Sequence, residues 1–124
     1  MSTPSVGRIY AFWKKYGYYD TFDRETIEAA IQKHINYGTI EVVERYGEII
    51  AIGRFNIYEK TVTILDVVIK PEYRNQRVMQ LMLMRGWKRF PFVTRIRFER
   101  GLRNDDVREY DMVRFLNITK GVYV

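Results

Sequence analysis

No cysteine occurs among the 124 residues, which together excludes a disulfide framework, a thiolate-held zinc or iron–sulfur centre and a cysteine nucleophile. Histidine is almost as scarce. His34 is the single copy, and one imidazole without a partner acid makes neither a metal site nor a catalytic triad. It lies on an apolar helical stripe and reads as a structural ring, and no metal is expected. No run of about 18 apolar residues exists, and residues 1–11 lack the basic-then-apolar layout of a signal peptide. A soluble protein made inside a cell, off the membrane, is the expectation. There is no internal repeat, low-complexity tract or linker, and 124 residues suit one domain spanning positions 1–124.

What is present is a globular balance, 47% hydrophobic and 29% charged, with a lopsided charge. Residues 1–70 hold nine basic and nine acidic side chains, whereas residues 71–124 hold twelve and six, so the whole net charge of +6 lies in the second part. Such a field favours anionic partners: nucleic acid, phosphate groups or an anionic cofactor. Arg95, Arg97, Arg100 and Arg103, continued by Arg108 and Arg114 and interleaved with Phe90, Phe92 and Phe98, could track phosphates while aromatic rings stack on bases. The same residues also read as a solvated face balanced by Glu99, Asp105, Asp106, Glu109 and Asp111.

Periodicity orders the chain. Val6, Ile9, Tyr10, Trp13 and Tyr16 recur at helical spacing. Asp23 can cap a second helix carrying Ile27, Ala30, Ile31, His34 and Ile35, with Gly38 placed to end it. Residues 39–46 and 49–58 then read as a hairpin turning at Gly47 and Glu48. After a turn at Glu59 and Lys60, residues 62–69 form a nearly continuous apolar strand of the kind found mid-sheet. Its one acid, Asp66, stands out. Pro71 stops that strand, residues 76–90 are helical up to Pro91, and residues 94–99 alternate as a half-buried strand parallel to 62–69. Asn104 or Asp105 can cap a last helix ending near Leu116, and residues 118–124 read as a short terminal strand. The fold class is mixed α/β, an α+β sheet in the order α-α-β-β-β-α-β-α-(β). Met79, Met82 and Met84 read as core filler.

The segment from Ile64 to Leu83, with Val68-Ile-Lys-Pro-Glu-Tyr-Arg-Asn-Gln-Arg-Val-Met79 at its centre, resembles the acyl-CoA-binding core of the GNAT superfamily of N-acetyltransferases. There a strand ends in a V-x-P-like turn and a Q/R-x-x-G-x-G/A loop opens a helix; the element order agrees over most of the chain. The resemblance implies a single GNAT-like domain that transfers an acyl group from acetyl-CoA to an amine. Val68, Ile69, Arg74, Asn75, Gln76, Arg77, Val78 and Met79 would hold the cofactor, through loop amides at a helix N-terminus. Arg77 and Met79 occupy the two glycine-type positions, and glycine there allows close backbone approach to phosphate. In this family a carboxylate near the central strand commonly acts as base and a tyrosine beyond the next strand often protonates the leaving thiolate; Asp66 and Tyr110 match. Asp66 is expected to share its face with the apolar Ile64 and Val68. Short GNAT-like proteins with such eroded loops also resemble those of tailed bacteriophages. That resemblance implies an alternative, a catalytically inactive binding or structural module on nucleic acid or in a virion, and a location in the host cytoplasm or the virion.

Overall fold

Ser5 and Asp23 open the first two helices of the computed structural model, which describes residues 4–17, 22–74, 77–99 and 107–116. The Ser5 hydroxyl accepts from the Arg8 amide at 3.3 Å, and the Asp23 carboxylate from the Thr26 amide at 2.7 Å. Each removes one of the amides that a helix start leaves without an acceptor. Helix α1 spans Val6–Tyr16 and α2 spans Arg24–Tyr37, the latter closed by Gly38 in the left-handed conformation at φ 70°. Glycine takes that conformation at no steric cost.

Strands β1 (Ile40–Arg45), β2 (Glu48–Tyr58) and β3 (Thr61–Ile69) form an antiparallel meander. The first turn is centred on Tyr46 and Gly47, with φ of 54° and 77°, one residue earlier than the expected pair. A two-residue hairpin of this hand needs positive φ at both central positions, and a tyrosine in the first of them gives no signal in the sequence. After β3 come a 3-10 turn at Pro71–Tyr73 and helix α3 at Val78–Arg89. Strand β4 (Arg95–Glu99) then lies parallel to β3, as expected of a helical crossover.

The expected last helix is corrected over half its length. Val107–Asp111 is strand β5, antiparallel to β4, and a helical turn begins only at residue 112. The Asp111 carboxylate accepts from the Arg114 amide at 3.0 Å, so the cap is Asp111 rather than Asn104 or Asp105. Those two residues and the expected strand 118–124 lie outside the described residues. The sheet order is β1-β2-β3-β4-β5.

Alternate residues of a strand face opposite sides, and the core divides accordingly. On one side Ile52 and Val68 pack with Ile9, Phe12 and Trp13 of α1 and Ile31 of α2. On the other, Phe55, Val62, Ile64 and Ile96 pack with Leu83 of α3 and with Met112 and Leu116. Arg89, at the end of α3, reaches across to β1: its guanidinium bonds the Glu41 carboxylate and donates to the Gly38 carbonyl at 2.8 Å. Among the described residues no helix is long and apolar enough to cross a membrane.

Candidate functional site

Two irregularities of the sheet create the site. Among the described residues, pairing between β3 and β4 runs from Thr61 with Arg95 to Ile64 with Phe98, while β3 stays paired with β2 as far as Ile69. Beyond that last pair β3 runs on toward the end of the sheet where α3 begins. The second irregularity is a register shift: Arg54 pairs with Asp66 but Phe55 pairs with Ile64. Leu65 is the extra residue of a bulge, and a bulge changes which side the following residues face.

That shift corrects the expected surroundings of Asp66. Ile64 packs on the α3 side, whereas Asp66 stands opposite Arg54 on the α1/α2 side with Val68. Arg54 donates to Asp66 Oδ2 from Nε at 3.1 Å and from Nη2 at 2.7 Å. Its guanidinium also lies over the Trp13 ring, 5.1 Å from the centroid. The Asp66 side chain is 8% exposed and that of Arg54 20%, so the carboxylate lies toward the sheet and the guanidinium toward solvent. His34 is near: its Nδ1 and the Thr39 hydroxyl are 2.7 Å apart, and burial, helped by the Arg54 charge, pushes its pKa down to about 4. It is a neutral structural ring, as its place on the α2 stripe suggested.

Tyr110 is not brought to Asp66. It sits on β5 opposite Ile96, on the α3 side, where its ring meets Phe98 at 6.3 Å and Phe115 at 5.3 Å. The two expected catalytic groups thus face opposite sides of the sheet.

The loop segment is more favourable. Arg77 is the N-cap of α3 at φ 58°, ψ 20°, and among the described residues no side chain caps the helix. A left-handed residue here is the conformation glycine usually supplies, held instead by arginine. The first α-helical bond runs from the Leu81 amide to the Arg77 carbonyl at 3.0 Å, so the amides of Val78, Met79 and Gln80 have no acceptor within the helix. Val78 is buried, and Met79 packs against the core instead of projecting over these amides. Val68 is buried with the α1/α2 core, and Ile69 packs with Val43, Ile50 and Ala51. Arg74 donates to the Ile69 carbonyl at 3.2 Å. Asn75 and Gln76 lie outside the described residues.

The arginine run is partly met by acids. Arg95 pairs with Glu109 at 3.4 Å and Arg97 with Glu99 at 3.2 Å; Arg100 and Arg103 lie outside the described residues. What the sequence reading missed is Arg54 and the pocket above it, between α1 and α2, lined by Trp13, Phe22, Thr26, Ile27, Ala30 and Arg54. A signal existed, because Arg54 is the one charge in the apolar run from Ile49 to Ile57, as Asp66 is in the run from Val62 to Ile69.

A parallel strand pair joined through α3, with two helices on the opposite sheet face, defines a layered mixed α+β fold. The fold is that of the GNAT superfamily. Diaminobutyrate acetyltransferase from Paenibacillus lautus, solved with its substrate and coenzyme A, is similar at a TM-score of 0.63 and 16% identity over 94% of this chain and 69% of that one. A ribosomal-protein-alanine N-acetyltransferase from Brucella melitensis matches at 0.60 and 12% identity, over 94% and 77%. The GNAT-like decarboxylase GphF, in complex with isobutyryl-CoA, matches at 0.58 and 10% identity, over 75% and 60%. No family model and no curated protein matches the chain. At such identities the likeness is one of fold.

Proposed function

We propose that the protein is an acyl-CoA-dependent N-acyltransferase. The supporting observation is that the described β3–β4 pairing stops at Ile64 and Phe98, at the end of the sheet where α3 starts with Arg77 in a glycine-like conformation. The fold also houses a decarboxylase, so the reaction has to be argued from this chain's residues. The stretch of β3 beyond its last pair with β4 would take an extended arm such as pantetheine alongside it. The Val78, Met79 and Gln80 amides and the Arg77 guanidinium would hold the phosphates, an arrangement that needs no covalent partner and fits the inward packing of Met79.

In the transfer the amine nitrogen attacks the thioester carbonyl, the C–N bond forms, the C–S bond breaks, and the nitrogen loses a proton. Asp66 lies two residues past the last β3–β4 pair and is the proposed acceptor of that proton, with Arg54 fixing its orientation through Oδ2. Tyr110, on the other face, is given no step.

The test is calorimetric titration with acetyl-CoA alongside a thiol-release assay with an amine panel. Asp66→Asn should lower turnover by about 100-fold or more while leaving acetyl-CoA affinity nearly unchanged, because a base acts in the chemical step. Absence of heat with wild type at millimolar acetyl-CoA overturns the enzyme reading in favour of a catalytically inactive module, acting on nucleic acid or in an assembly such as a virion.

A further inference from the structure

The pocket between α1 and α2 has one charged member. Trp13, Phe22, Ile27 and Ala30 give it apolar and aromatic walls, and Arg54 is the charged residue of its lining. Nε and Nη2 of Arg54 are both committed to Asp66 Oδ2. Among the described residues Nη1 makes no hydrogen bond, so three N–H donors remain, two on Nη1 and the second on Nη2, on a guanidinium whose plane is fixed by the ion pair and by the Trp13 ring. The nearby imidazole of His34 is neutral near pH 7 and brings no competing charge. A guanidinium offers donors only, so the matching ligand group is an acceptor without hydrogens to clash, and a carboxylate fits it best.

We propose that this pocket binds a small molecule carrying a carboxylate and an apolar or aromatic body. Resting on the acyltransferase reading, the acceptor is then an amino acid with a free carboxylate and a bulky apolar side chain. Arg54 takes the carboxylate, Trp13 and Phe22 cover the side chain, and the α-amine is acylated. The amine nitrogen bonds to the acyl carbon, the bond from carbon to sulfur breaks, Asp66 takes the proton lost by nitrogen, and the departing thiolate takes up a proton from solvent. The products are the N-acyl amino acid and the free thiol. Asp66 serves Arg54 as a positioning residue in addition to its proposed part in proton removal.

The experiment compares L-phenylalanine, 3-phenylpropionate and L-phenylalaninamide as ligands of the full chain, by calorimetry and by ligand-observed NMR without any CoA. The two carboxylates should bind, and the amide should bind at least about tenfold more weakly, the scale of a lost charge-assisted contact. Arg54→Lys keeps a charge beside Asp66 but loses the planar fork, and should weaken carboxylate binding to a similar degree with an unchanged circular dichroism spectrum. Ala30→Phe fills the pocket without touching the ion pair and should abolish binding of all three. Equal affinity for acid and amide, or no binding by folded wild type, overturns the proposal. Carboxylate binding without acetyl-CoA binding overturns only the acyltransferase reading, and acetyl-CoA binding without carboxylate binding overturns only this inference.

Discussion

Arg77 provides a sharp test because its backbone geometry inverts an ordinary rule. At most positions alanine is worth about 0.5 to 1 kcal/mol more than glycine, since glycine loses more freedom on folding. At φ 58°, ψ 20° a side chain costs about 1 to 2 kcal/mol, because Cβ crowds the following carbonyl. Arg77→Ala and Arg77→Gly remove the same guanidinium and its contacts, so their difference isolates the backbone. The glycine variant should be the more stable by about 0.5 to 1 kcal/mol, the left-handed cost less the entropy of glycine. Met84, half-exposed in the middle of α3, is the control, and there Ala should exceed Gly by about 1 kcal/mol. Urea denaturation at fixed temperature reads both pairs, and thermal melting should show opposite signs, by roughly 2 to 4 °C for a chain of this size. If alanine equals or exceeds glycine at position 77, the left-handed assignment is wrong, and with it the argument that Arg77 holds a glycine-type position. The same two variants bear on the phosphate site: each should lose about 1.5 to 3 kcal/mol of acetyl-CoA affinity if the guanidinium pairs a phosphate, and the glycine variant should lose less because the amides are more easily approached.

Other expectations follow from single contacts. His34 titrates near 4 when folded and near 6.5 when unfolded, so the unfolded chain binds more protons between these values and stability falls as the pH drops from about 6.5 to 4. The loss should approach ~3 kcal/mol, and it should be missing from the difference in stability between pH 7 and pH 4 of His34→Gln, measured by urea titration. Glu41 is buried beside Arg89, so Arg89→Met should cost about 3 to 5 kcal/mol by stranding that carboxylate, and Arg89→Met with Glu41→Gln should recover part of it. An additive double-mutant cycle in chemical denaturation would refute the coupling.

How much was legible in the sequence depended on whether one side of an element is buried. The α2 boundaries were readable because Asp23 and Gly38 act through local geometry, the first as an amide acceptor and the second at positive φ. Strands β2 and β3 were readable because both of their faces are covered, by α1 and α2 on one side and α3 on the other. Strand β5 was not. Its Val-Arg-Glu-Tyr-Asp run is largely exposed at the end of the sheet, and with a single inward side chain, Tyr110, the spacing to Met112 and Leu116 fits a helix equally well.

Asp66 shows a different limit. Its isolation in an apolar strand was visible, but which face it took depended on one extra residue, Leu65, that no local pattern announces. A bulge arises from competition between two packing registers. The segment before Leu65 places Ile64 against Leu83 and Phe55 on the α3 side, and the segment after it places Val68 against Ile52 beneath α1. Without the extra residue, one of those two apolar sets would turn to the wrong face. The bulge satisfies both, and its by-product is to set Asp66 opposite Arg54. The charged pair is therefore a consequence of the bulge. Deleting Leu65 tests that cause: the shortened β3 should either rotate Asp66 into the apolar α3 side, where a carboxylate without Arg54 is costly, or turn Ile64 and Val62 away from Leu83. Either outcome costs several kcal/mol and should show as a collapsed urea midpoint, whereas replacing Leu65 with alanine, which keeps the count of residues, should leave the Arg54–Asp66 pair in place.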